Sequence, residues 1–369
     1  MEFDFAALES NPALPELAGR FWASGLGADR VPVDVARKLV ERGAPLSIHA
    51  AAAFGFEDRI AAMLAADPSL VHAKGGDGCT PLHFARDVRT AELLLAAGAA
   101  IDARDDDHDS TPAQWRIGKA PGVSRFLLDR GASADLFLAA ALGDIELAKR
   151  LIDDDPACVA QWIGRPPKGR APGGTIYQWT LGFNSFAHQI ALRKGHQALF
   201  DLLASRSDPQ TLLLVNCLLA RRGEAFAVAR EHPHLVAALP NAERELLARY
   251  CWETNSSIEA VRLMLDLGFP VAHIEHSHGF SPLHNAAWEG NAELVDLLLE
   301  RGHPVDLIDP KYQATALDYA IHDCVREKRH PEGAFARVAE LLLQAGCAYH
   351  SSSYPTGDER LDAVLERYR

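Results

Sequence analysis

No stretch of this chain approaches the ~18 to 20 consecutive apolar residues that a membrane-crossing helix needs, although 48% of its 369 residues are hydrophobic. Its opening, MEFDFAALES, is acidic and lacks both the basic start and the apolar run of a secretory signal, so export is not expected. Cysteine is scarce and scattered: Cys79, Cys158, Cys217, Cys251, Cys324 and Cys347 never form a Cys-x-x-Cys pair. That argues against a zinc ribbon or a disulfide framework and fits a reducing compartment. A cytoplasmic location is the expectation. Positive charge is short as well. A formal net charge of −13 argues against nonspecific binding to DNA or to an anionic membrane as the main activity, so neither nucleic acid nor membrane is expected as a partner. Catalytic signatures are missing too: no Gly-x-Ser-x-Gly elbow, P-loop, dinucleotide fingerprint or His-Glu-x-x-His occurs. No cofactor and no metal are expected.

What the chain does contain is an internal period. CTPLHFARDVRTAELLLAAGA (79–99) and FSPLHNAAWEGNAELVDLLLERGH (280–303) share one order of parts. Each has Thr or Ser, then Pro-Leu-His, a short apolar helix, a second helix ending in Leu-Leu-Leu, and a closing Gly. Gly98 and Gly131 lie 33 residues apart, and Gly268 and Gly302 lie 34 apart. Thr80 and Ser281 suit a helix N-cap, and Pro81 and Pro282 sit at the first helical position, where a missing N–H costs nothing. The leucines of the second helix share one stripe, and a left-handed Gly stops it. Two helices this short cannot bury a core alone and must stack on neighbours.

On these residues the chain resembles the ankyrin repeat family. The Thr-Pro-Leu-His tetrapeptide is complete at Thr80–His83, nearly so at Ser281–His284, and partial at Thr111–Gln114 and Thr315–Asp318. The helix-pair rhythm continues with weaker letters at 47–71, 135–159, 186–209, 211–236 and 243–269. The resemblance implies an all-α solenoid of about nine units over 31–350, with an N-terminal cap at 1–30 and a capping helix within 351–369. An insertion at 161–182, rich in Pro, Gly and basic residues, interrupts it; loops of that length inside a compact array are commonly functional or disordered. Its aromatics Trp162, Tyr177 and Trp179 favour a docked loop. Two spacings depart from the pattern. Thr80 to Gly98 is three residues short, which predicts a pinched inter-helix turn near Asp87-Val88. CVREKRHPEG (324–333) predicts a lengthened one.

Family members usually contact partners through turn tips and the last two residues of each first helix, on a concave face. By register those residues are Trp252-Glu253, Trp288-Glu289 and His322-Asp323, preceded by Arg193-Lys194 and Arg221-Arg222, and earlier by Ala53-Phe54 and Ala141-Leu142. The turn tips add Ser277, His278 and Phe280, then Lys311 and Tyr312, and the insertion adds Arg165, Lys168 and Arg170. The predicted groove is therefore basic in its middle and aromatic and acidic towards its C-terminal part. Against this stands a plainer reading, in which each Trp packs on the next unit and the charged residues are simply solvated.

Several groups of residues invite chemistry. His273, His276 and His278 invite a metal, yet His276 falls where the family usually has a turn Asp. His83 and His284 read as structural imidazoles. Glu253, Glu289 and Asp323 form a ladder of carboxylates whose repeat step falls near the top of the ~6.5–9.5 Å that an inverting glycosidase needs. His322 and Cys324 lie two apart on a helix and so diverge, and Cys251 reads as core. The leading expectation is a module that binds a protein or peptide partner in the groove. The alternatives are a small polar ligand, or hydrolysis, at a site under the 161–182 loop, and a scaffold with several contact surfaces.

Overall fold

A computed structural model of the protein describes residues 14–164, 175–252, 257–276, 278–326, 334–349 and 354–368. These residues are mostly helical and contain no strand, only one isolated bridge between Trp162 and Phe186. The chain divides into two compact units, Met1–Ser205 and Arg206–Arg369. None of the described helices is long and apolar enough to cross a membrane.

The first unit begins with helices Leu14–Trp22 and Val33–Glu41, followed by antiparallel pairs: Ile48–Phe54 with Glu57–Ala66, Pro112–Arg116 with Pro121–Asp129, Leu136–Leu142 with Ile145–Asp154, and Ala187–Arg193 with Gln197–Ser205. Between the first and second of these stands a shortened pair, a single 3-10 turn Pro81–Phe84 with helix Val88–Ala96. The second unit pairs Pro209–Leu218 with Arg222–Glu231, Leu246–Tyr250 with Ile258–Asp266, Pro282–Trp288 with Ala292–Glu300, and Ala316–Arg326 with Ala334–Gln344. Helix Glu359–Glu366 follows.

Helix pair 282–300 shows why this sequence folds so. Ser281 caps the first helix by accepting from His284 N, and Asn291 caps the second by accepting from Leu294 N at 3.1 Å. Along Pro282–Trp288 every residue but the final Trp is buried, and Ala286 and Ala287 have no exposed surface. Small side chains there let the neighbouring first helices approach closely. Leu294, Val295, Leu297 and Leu298 supply the buried stripe of the second helix, each such burial stabilising by roughly 1.5–3 kcal/mol. Gly302 then stops the helix at φ +82° with nothing within 4 Å of an added Cβ, so only the left-handed backbone demands glycine.

The short spacing resolves in the first helix and not in the turn, and three residues of the long one extend a first helix too. In the Pro81 pair the cap Asp87 follows the first helix at the same interval as Asn291 does; the missing residues are taken from the helix, cut to one 3-10 turn. In the last pair Cys324, Val325 and Arg326 continue the helix, and 327–333 lie outside the described residues.

One structural slot recurs through both units. The third residue of the first helix turns its side chain back to the cap residue's N–H. His83 Nδ1 accepts from Thr80 N at 3.0 Å and His284 Nδ1 from Ser281 N at 3.1 Å, while each Nε2 meets a carbonyl of the following turn. Gln114, Gln189 and Asp318 accept in the same way from Thr111, Phe186 and Thr315, all at 2.8 Å. The histidines of the Pro-Leu-His motif are therefore caps. Burial is the main reason the His83 pKa drops to about 4, against the opposing pull of its backbone partners and Asp105. Protonating Nδ1 would set a donor against the Thr80 N–H.

A folded-state pKa below the unfolded value of ~6.5 contributes stability that is complete above that pH and is lost as pH falls towards 4. For His83 the full shift corresponds to on the order of 3 kcal/mol. His83→Gln keeps the acceptor and cannot titrate. Its urea-unfolding curves should show a small cost at pH 7.5, about 1 kcal/mol from the lost Nε2 bond. The gap to the parent protein should narrow or invert between pH 6.5 and 4.

Candidate functional site

Three turns in the chain are built around a carboxylate six residues before the cap of a first helix: Asp105, Glu275 and Asp309. In each, the residue's own N–H pairs with the carbonyl five residues on, at 3.1, 2.9 and 3.0 Å respectively. Each side chain also accepts the N–H three residues on, from His108, His278 and Tyr312 at 2.5, 2.6 and 2.6 Å. Two of these carboxylates then reach a donor ten residues ahead on the first helix: Trp115 Nε1 to Asp105 at 2.9 Å, and Tyr319 Oη to Asp309 at 3.0 Å. Burial alone would raise the Asp309 carboxyl. The N–H groups of Tyr312, Ala314 and Lys311 and the Tyr319 hydroxyl outweigh it and hold the pKa below the ordinary value.

The turn at Glu275 solves the same problem differently. Asn285 stands where Trp115 and Tyr319 stand in the other two, and its amide instead donates to Ala248 O at 2.9 Å. Glu275 pairs with Arg249 at 3.3 Å, and Arg249 also bonds Glu245 at 3.0 Å. All three side chains are buried. Glu275, and not His276, is thus the turn carboxylate of this unit. Its Oε1 also lies 3.1 Å from His278 Nδ1.

These turns hold a continuous row of rings. Trp252 meets His278 edge-on at 5.2 Å between centroids. His278 lies 6.0 Å from Phe280, and Phe280 in turn lies 6.0 Å from Trp288, 6.4 Å from Tyr312 and 4.9 Å from Tyr319. Trp288 continues to Tyr319 at 5.4 Å and to His322 at 5.9 Å. Tyr319 is buried beneath the row. Tyr312 is 59% exposed and Trp252 41%, while His278, Phe280 and Trp288 are half-buried and His322 is exposed. Glu289 follows Trp288 as the helix C-cap and is half-buried; Asp323, next to His322, is buried.

The residues expected at helix ends fall into several classes. Trp288 is the last residue of its helix. Trp252 lies two residues beyond Tyr250, where its helix stops, so the two tryptophans share the row without sharing a register. Glu253 and Ser277 lie outside the described residues, as do Arg165, Lys168 and Arg170. Arg193 and Lys194 close helix Ala187–Arg193 in the first unit, as register placed them. The Arg193 guanidinium, however, donates to Ser185 Oγ at 3.1 Å and to Leu181 O, just after and at the end of the insertion. Arg221 and Arg222 differ from expectation. Asp208 caps helix Pro209–Leu218, three residues earlier than the Thr211 start assumed from sequence, and Ala220 closes it at φ +52°. Arg221 and Arg222 therefore open the second helix of that pair, and Arg222 reaches Asp266 there at 2.6 Å.

The described end of the insertion is docked in the first unit. Tyr177 is fully buried with its hydroxyl on Asp135 at 2.6 Å, and Gln114 donates to the same carboxylate at 2.8 Å. Ile176 N donates to Ser110 Oγ at 3.1 Å. Helices Leu136–Leu142 and Ala187–Arg193, on either side of the insertion, pack directly on each other.

The chemistry considered from sequence finds little support in these positions. The ligand-type side chains that converge among the described residues are Asp77, Asp107 and His108, not the histidines at 273–278. His108 Nδ1 there already faces Asp105 at 3.3 Å. Burial pushes the Cys251 thiol up to about 12, as befits a core side chain. Burial and the neighbouring Asp358 raise Cys324 to about 11, far from a thiolate.

Family models for ankyrin repeats match residues 240–320, as many copies, and residues 77–106, as a single repeat. The chain carries ankyrin repeats over these residues. Each match takes in a Pro-Leu-His unit, and the first also spans the turns at Glu275 and Asp309. No curated protein matches. Among solved structures the chain is similar to the human ASB11 ankyrin repeat domain at 17% identity, covering 83% of this chain and 100% of that one, with a TM-score of 0.27, a likeness too loose to place any residue.

Sequence reading missed Tyr319, Arg249 and the three turn carboxylates. A carboxylate six residues before a Ser or Thr cap, with an aromatic donor ten residues after it, is the signal that finds two of these turns. Urea unfolding at pH 7 should separate the two solutions. Tyr319→Phe should cost about 1 kcal/mol, the value of one hydrogen bond. Arg249→Met should cost roughly 3–5 kcal/mol, because it removes the cation that the buried Glu245 and Glu275 share.

Proposed function

We propose that this ankyrin repeat protein binds a protein partner, and that the aromatic row of its second unit is the face that does so. Ankyrin repeats generally mediate protein–protein interaction. The observation that carries the assignment is the exposure of Trp252 and Tyr312 in one connected row with Trp288. Large aromatics at an interface centre supply much contact area at small entropic cost and recur as hot spots. Such exposure on a folded domain otherwise carries a solubility penalty, and contiguous apolar patches mark contact sites. The row is also pre-organised. Its tips are fixed by Glu275 and Asp309 through backbone hydrogen bonds, so little order has to be created on binding.

Within this reading Trp252 and Trp288 are the anchors, with His278, Phe280, Tyr312 and His322 forming the surrounding wall. Glu289, half-buried at the helix C-cap directly after Trp288, is the acidic side of the face. Arg193 is tied to Ser185 and Leu181 in the first unit, and Arg222 forms a surface ion pair with Asp266.

Affinity capture from the source cells, with the parent protein and the two Trp→Ala variants compared by quantitative mass spectrometry, tests the assignment. Trp252→Ala should alter stability by about 1 kcal/mol or less and Trp288→Ala by about 2 kcal/mol, given its partial burial. Both should lose the same captured protein. A partner retained by both variants would remove this face as the binding surface.

A further inference from the structure

We infer that the aromatic row takes its partner by a cationic side chain, arginine foremost, laid against the rings between Trp288 and Tyr312. This deepens the protein-binding reading and rests on it.

The argument is electrostatic. Asp309 is buried beneath the row with its charge undiminished: its donors are three backbone N–H groups and one phenol, all neutral. The Tyr319 hydroxyl donates into that carboxylate, which pushes electron density into the Tyr319 ring, and that ring touches both Phe280 and Trp288. The faces of the row therefore carry the quadrupole of each ring with a full negative charge behind them. Glu289 adds a half-buried carboxylate directly after Trp288.

Arg249, the cation below the other end of the row, is consumed by Glu245 and Glu275. At the rim the chain places its own ammonium on this surface: Lys311 Nζ stands 4.9 Å from the Tyr312 centroid. The net charge of −13 draws a cationic segment towards the molecule.

An apolar anchor fits these observations less well. It would strip water from above a buried carboxylate and return no compensating charge. A guanidinium compensates it, and its flat face matches neighbouring rings that tilt by 31° to 41°. Arginine stacks on such faces while its edge N–H groups reach a carboxylate, which an ammonium does less completely.

A displayed library of random heptapeptides, panned against the full chain, tests both layers. Clones are re-assayed on Trp288→Ala, Glu289→Gln and Lys311→Met. Clones that lose binding to Trp288→Ala belong to the aromatic face. The inference expects these clones to share an Arg or Lys whose change to norleucine weakens binding at least ~10-fold, as loss of a desolvated cation–π contact does. They should weaken several-fold on Glu289→Gln and strengthen on Lys311→Met, which removes the resident competitor. Trp288-dependent clones that carry apolar or acidic residues in place of a cation would overturn the inference and leave the protein-binding face standing. A panning that yields no Trp288-dependent clone would overturn both.

Discussion

A carboxylate sunk into a tight turn, collecting several N–H groups at once, is the contact on which the rest of this protein depends. Asp105 and Asp309 each satisfy donors that would otherwise be orphaned in a buried bend. Charge-assisted bonds of this kind are about twice as strong as neutral ones, so the turn behaves as a rigid piece. Everything outside it inherits that rigidity. The residue three places on, His278 or Tyr312, cannot wander, and the ring five places after Glu275, Phe280, is carried to the centre of the row. The aromatic row is a by-product of how the backbone is satisfied.

The same constraint has two chemical solutions, and the difference has consequences. A Trp or Tyr donor keeps the lock inside one repeat. Arg249 instead takes the lock for Glu275 across to the preceding first helix. A link between repeats couples their stabilities, which in a stacked array otherwise arises mainly from apolar contact between neighbours. The Glu245–Arg249–Glu275 chain is thus a polar tie through the second unit, and His278 at its outer end joins that tie to the exposed rings.

Much of this was legible in the sequence because it is written in local rules. The caps at Thr80, Thr111 and Ser281, the prolines after them and the closing glycines depend on neighbours within a few residues, and they identify the helix pairs. Register was harder. Asp208-Pro209 is itself a cap-and-proline signal, yet the apolar run starting at Thr211 drew the helix start past it and carried Arg221 and Arg222 onto the wrong element. Three missing residues in the Pro81 unit could have come from helix or turn, and spacing alone does not choose between them. The partnership of Arg249 with Glu275, and the burial of Asp323 beside an exposed His322, follow from packing between repeats. They have no signature within one repeat.

The interchangeable occupants of the capping slot have a further effect. His83 and His284 fill it in two repeats, Gln114 and Gln189 in two others, and Asp318 in the last. Since each repeat leans only on its neighbours, a proton arriving at an imidazole loosens one link and leaves amide-capped links as they were. Acid near pH 4 should then loosen the array at chosen links instead of melting it evenly, and the choice of one letter per repeat sets where fraying begins.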